Sequence, residues 1–218
     1  METVYLHGFA TTPEVWRNQT NGEKPHLMFE DIKGTAEGLL KGIGVGEKIR
    51  IVGWSMGGMV AMLMAAMAPE KINSLVLVST TPKFIRSDDF PHAIPLAILR
   101  RLEKKIKVEG IKVFYDLIFT DKIKTTPLPC LPAVGGGEGN GVRVFEELAE
   151  LAKVDLRSLL PKINCPTLII HGDQDEICLP GAAEYMNKEI KNSKLIILKG
   201  AGHAPMLEAP EEFKKYVG

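Results

Sequence analysis

At 218 residues the chain supports one domain with a full core and is too short for two ordinary ones. An apolar share of 45% with mean hydropathy near zero excludes a disordered polymer and fits a globular domain. Lys plus Arg equals Asp plus Glu at 27 each, so net charge argues neither for nor against nucleic acid.

In chain order, the sequence predicts a strand at Thr3–His7, a helix at Ala36–Gly42 and a strand at Ile49–Gly53. A helix at Gly58–Ala68 and a strand at Ser74–Ser79 follow. The Gly58–Ala68 run is too short to span a bilayer, and being apolar on every side it reads as a helix buried inside the domain. Helical patterns at Pro95–Lys107, Glu109–Phe119 and Val142–Ala152 come next, without a convincing strand among them. The chain then returns to alternation with a strand at Thr167–His171, a helix at Ala182–Ile190, a strand at Leu195–Leu198 and a helix at Pro210–Tyr216. Nearly continuous apolar strands separated by helices predict an α/β domain with a mostly parallel sheet.

The division expected is a core of residues 1–81 and 154–218 interrupted by a helical lid at 82–153. Within that lid, residues 127–141 are dense in proline and glycine, which means irregular backbone. The middle of the chain is basic, with ten Lys/Arg against six Asp/Glu between Lys83 and Lys124. Cys130, Cys165 and Cys178 lack C-x-x-C spacing, so neither a disulfide framework nor a zinc site is expected. Reduced thiols, with no export signal at Met1–Leu6, lead to a cytoplasmic expectation.

The most informative motif is Gly53-Trp54-Ser55-Met56-Gly57, set between a strand and a helix. G-x-S-x-G there reads as a nucleophile elbow, a strained turn that lifts the serine hydroxyl into a cleft at a helix N-terminus. A serine needs a base, and the base needs an orienting partner. His203, in Gly200-Ala201-Gly202-His203-Ala204-Pro205, follows the last predicted strand on the same sheet edge and is the candidate base. The acid comes from Gly172-Asp173-Gln174-Asp175-Glu176; Asp175 is the first choice, and Asp173, placed to cap the turn, is the competitor. An oxyanion needs two donors: the Met56 N–H, and the Phe9 N–H from His7-Gly8-Phe9 at the end of the first strand. His171 reads as structural or adjacent to the site, and His7 as a loop brace.

At these motifs the chain resembles the α/β-hydrolase superfamily, and within it the carboxylesterases of biotin synthesis, which cleave the methyl ester of pimeloyl-acyl carrier protein. Val154-Asp155-Leu156-Arg157, Glu14-Val15-Trp16 and Pro210-Glu211-Glu212-Phe213 add to the likeness. The resemblance implies Ser55 as nucleophile, His203 as base and Asp175 as its partner. It also implies an acyl site lined by Phe9, Met56 and His203, with Tyr115 and Phe119 in the lid. It implies no cofactor, no metal, and a small-molecule or carrier-linked ester as substrate rather than nucleic acid or membrane. Arg100, Arg101 and Lys104 would then dock an acyl carrier protein. Two departures stand out: the chain meets its first strand without the family's N-terminal hairpin, and Leu27–Ile32 replaces a strand with its Asp-Pro-Gly-rich turn. A sheet trimmed to five or six strands is therefore expected. The same triad also serves menaquinone-synthase-type lyases and, without turnover, hydrolase-fold receptors; dehalogenase chemistry needs a carboxylate where Ser55 stands.

Overall fold

The computed structural model describes residues 2–19, 21–27, 29, 31–118 and 140–217. Its five apolar runs form five parallel strands, β1 (Thr3–Leu6), β2 (Ile49–Trp54), β3 (Ile72–Val78), β4 (Thr167–Gly172) and β5 (Ser193–Leu198), lying in chain order across one sheet. The register is what matters for function. Leu6 pairs with Gly53, Trp54 with Val78, Val78 with Ile170, and Gly172 with Leu198, so the strands end along a common edge. Residues that follow different strands are thereby gathered at that edge, where α/β sheets bind their ligands. Among the described residues, Val4 also makes an isolated parallel bridge to Glu23, with Tyr5 N–H donating to Glu23 O at 2.8 Å.

The helices are α1 (Ile32–Gly42), α2 (Met56–Met67), α3 (Leu96–Glu109), α4 (Lys112–Ile118), α5 (Asn140–Lys153), α6 (Pro180–Glu189), α7 (Pro205–Glu208) and α8 (Pro210–Val217). Helix α1 begins four residues before its sequence-level boundary because Asp31 caps it, accepting from Lys33 N–H at 3.0 Å. Helix α2 carries no charge and is buried on nearly every side between α1 and strands β1 to β3. One-turn α7 has no counterpart among the sequence-level elements; Pro205 opens it, as a proline tolerates a first helical position. Around α8, Phe213 stacks near Trp16, which in turn meets Tyr5, closing the core beside β1.

The chain leaves the sheet after β3 and rejoins it before β4 at neighbouring points. Leu156 N–H donates to Pro82 O at 2.8 Å, and Lys83 pairs with Asp155 at 3.1 Å. Arg157 grips the Asp155 carboxylate and also Asp89, at 2.8 and 2.9 Å, and its guanidinium lies over the Phe90 ring. Arg157 thereby holds Asp155 down to about 2. Between these points, α3 packs on α4 and α5. Phe119, Cys130 and nearly all of the Gly/Pro-rich stretch 127–141 lie outside the described residues. Among the described residues, no helix is long and apolar enough to cross a membrane.

Candidate active site

Ser55 sits between β2 and α2 at φ 54° and ψ −121°, a conformation that a residue with a side chain adopts only under constraint. Such strain costs about 1–3 kcal/mol and persists where its surroundings over-determine it. Here they do. Ser55 N–H donates to Val78 O at 3.0 Å, while Ser55 O accepts from Gly58 N–H at 2.9 Å and from the Thr80 hydroxyl at 2.6 Å. The flanking glycines let three backbones crowd together. A Cβ on Gly57 would fall 2.4 Å from His7 O and 2.5 Å from Leu6 O, and one on Gly53 would fall 2.6 Å from Gly57 O. The first turn of α2 therefore lies directly against the end of β1.

His203, in the loop between β5 and α7, comes to this elbow. Its Nε2 lies 3.0 Å from Ser55 Oγ, and its Nδ1 lies 2.9 Å from Asp175 Oδ2. A carboxylate can only accept, so Nδ1 carries the proton and Nε2 presents its lone pair to the serine hydroxyl. Trp54 Nε1 donates to His203 O at 2.7 Å, tying the histidine loop to the elbow from beneath. Asp175 and His203 are both buried, whereas Ser55 is part-exposed. Burial alone would raise the Asp175 carboxyl. The electrostatic attraction of the adjoining His203 imidazole and the contacts from His171 and His203 outweigh it and hold the group well below the usual carboxylate range. Two further N–H groups, of Ile177 and Cys178, donate to Oδ1 at 2.9 Å each. The competitor Asp173 is occupied elsewhere: it accepts from Gly200 N–H at 2.7 Å and joins the β4 turn to the β5 turn. Burial and the neighbouring Asp175 push the Cys178 thiol well up, so it offers no rival thiolate.

The far wall is the loop after β1. Phe9 is buried and packs edge-on against Phe114 of α4, with ring centroids 4.8 Å apart. Among the described residues, neither the Phe9 nor the Met56 N–H meets a hydrogen-bond acceptor. His7 braces this loop, as its position suggested. Its Nδ1–H donates to Gly8 O at 3.0 Å, and its Nε2 accepts from Leu27 N–H at 2.9 Å. Tyr115, expected at the acyl channel, is buried with its hydroxyl donating to Ala10 O at 2.8 Å, so α4 is fastened to the same loop. Arg100, Arg101 and Lys104 lie on the exposed side of α3, away from this cluster in sequence and without an ion pair among the described residues. Trp54, Thr80 and the Tyr115 hydroxyl contact were not foreseen, and Thr80 carries no sequence signal at all.

The family described as serine aminopeptidase, S33, matches residues 21–210, most of the chain and both the Ser55 and His203 segments. The chain belongs to that family. Consistent with S33 membership, it is 30% identical over 201 residues to the pimeloyl-[acyl-carrier protein] methyl ester esterase of Neisseria meningitidis serogroup B strain MC58, covering 88% of this chain and 76% of the relative. The enzyme of the same name from Nitrosomonas europaea is 26% identical over 232 residues, covering 97% and 92%. Among solved structures, an esterase from Exiguobacterium antarcticum superposes with a TM-score of 0.80 at 22% identity, over 100% of this chain and 90% of that one. This S33 member is an α/β-hydrolase-fold enzyme, a serine hydrolase of the esterase type.

Proposed function

We propose that the protein hydrolyses a carboxylic ester through an acyl-enzyme, with Ser55 as nucleophile, His203 as base and Asp175 as the residue that orients the base. One observation carries this: a continuous hydrogen-bonded chain from Ser55 Oγ through His203 to Asp175, at 3.0 and 2.9 Å, with the Phe9 and Met56 N–H groups uncommitted among the described residues. Ser55 Oγ attacks the ester carbonyl as His203 Nε2 takes its proton. The carbonyl oxygen becomes an oxyanion facing the N–H groups of Phe9 and Met56, each such donor being worth about 2.7–4 kcal/mol in the transition state. Collapse expels the alcohol, which takes the proton from His203. Water then attacks the acyl carbonyl as it gives a proton to the same nitrogen, and the bond to Ser55 Oγ breaks as that oxygen takes the proton from His203, releasing the acid.

The substrate we propose is an acyl ester presented by a carrier protein, as the names of the relatives suggest. Phe9, Met56 and His203 bound the reacting end, and residues 82–153 act as a lid whose α4 abuts the Phe9 loop. The exposed cations Arg100, Arg101 and Lys104 on α3 suit an acidic carrier, steering encounter by charge. A fluorophosphonate probe tests the chemistry: the wild-type protein is labelled and Ser55→Ala is not. Persistent labelling of Ser55→Ala overturns the assignment. Reversing Arg100, Arg101 and Lys104 to glutamate slows turnover of a carrier-linked ester and spares p-nitrophenyl esters; equal slowing of both removes the carrier.

A further inference from the structure

The geometry points to His171 as a positioning residue that sets the orientation of Asp175, an inference that rests on the triad proposed above. His171 is fully buried in the last turn-ward residues of β4, four positions before Asp175. Its Nε2 lies 2.6 Å from Cys178 O and 3.2 Å from Asp175 Oδ2. Both partners are acceptors, so this nitrogen carries a proton; it donates to Cys178 O, with the Asp175 carboxylate beside it. The other ring nitrogen, Nδ1, is buried without a partner among the described residues. A fully buried imidazole that leaves one nitrogen orphaned and sets its one N–H at the Cys178 carbonyl, against the Asp175 carboxylate, is held there by those two groups.

The contacts close a ring. His171 donates to Cys178 O, Cys178 N–H donates to Asp175 Oδ1 at 2.9 Å, and Asp175 Oδ2 returns to His171. The loop 175–178 is therefore gripped on its carbonyl side by β4, and the carboxylate cannot turn about its own axis without losing donors at both oxygens. That orientation keeps Oδ2 on His203 Nδ1 and holds His203 in the tautomer whose Nε2 faces Ser55. Without the His171 N–H, Oδ2 retains only His203 Nδ1, the group it steers. His171 touches neither substrate nor nucleophile; it acts through Asp175.

The test is a double-mutant cycle on ester hydrolysis. In the wild-type background His171→Leu lowers kcat about 30-fold with KM within about twofold, because ground-state binding is untouched. In an Asp175→Asn background the same change costs less than about twofold, since the group it steers is already disabled. His171→Gln, whose amide N–H reaches the same place, recovers kcat to within about threefold of wild type. If His171→Leu fails to fold, His171→Asn, whose amide ends short of Cys178 O, replaces it in the cycle. Equal losses in both backgrounds, or no recovery with Gln, overturn the inference and leave a structural histidine. Unchanged kcat in Asp175→Asn alone marks failure of the triad itself, a result separable from either.

Discussion

Acidification should unfold this protein partly through one histidine that is not part of the chain of Ser55, His203 and Asp175. Burial holds the His7 imidazole down to about 4 from an ordinary 6.5, with the nearby His26 adding to the effect and the Gly8 carbonyl and Glu14 opposing it. The geometry agrees: Nε2 already accepts from Leu27 N–H, and a proton there would set two donors face to face. Above pH 6.5 the ring is neutral in both folded and unfolded chains and contributes no pH dependence. Between 6.5 and 4 the unfolded chain takes up a proton that the folded one refuses, so stability falls with pH, and below 4 the loss is complete. The full loss is about 3 kcal/mol, of which about 2 kcal/mol is gone by pH 5. His7→Gln keeps an acceptor for Leu27 and has no proton to gain. Urea unfolding of both proteins from pH 7.5 to 5 should show the wild type losing about 2 kcal/mol more than His7→Gln, at unchanged m-value. Parallel pH profiles for the two would refute the account of His7 as a neutral brace.

Other changes probe the machinery directly. Gly57→Ala pushes a methyl into the His7 and Leu6 carbonyls and should cost about 3 kcal/mol or more, read as a lowered urea midpoint, with esterase activity falling as the elbow shifts. Trp54→Phe removes the donor to His203 O and leaves a buried carbonyl unpaired, costing about 1–3 kcal/mol in unfolding experiments and lowering kcat more than KM. Asp155→Asn breaks the grip of Lys83 and Arg157 where residues 82 and 156 meet. Because that carboxylate is about a third exposed, the cost is only about 1 kcal/mol, and it vanishes when wild type and variant are compared towards pH 2.

The strands were legible because a parallel sheet covered by helices demands apolar residues on both faces, and each of the five runs is nearly continuous in them. Helix boundaries were less so. The start of α1 depends on Asp31, which in sequence is one acid among several, and α7 is a single turn set by loop closure rather than by periodicity. The isolated bridge at Glu23 left no trace in the sequence, since its pairing is made by backbone atoms alone.

The site divides along a similar line. That Ser55 and His203 come together was readable because a strained turn and a shaped loop at one sheet edge both need glycines at fixed offsets, which leave their trace in sequence. The choice between Asp173 and Asp175 could not be made that way, because both follow Gly172 within one tight turn and both are acids. What separates them is direction. Asp173 turns across to Gly200 on the loop after β5, while Asp175, two residues on, turns inward to meet four N–H groups, two from the backbone of Ile177 and Cys178 and two from the imidazoles of His171 and His203. An acid that must stay ionised in a buried place needs that many donors, and only the second position is surrounded by them. Those donors arise from three separate segments, β4, the 175–178 loop and the loop after β5, and so the pairing belongs to the register of β4 against β5 rather than to any local pattern.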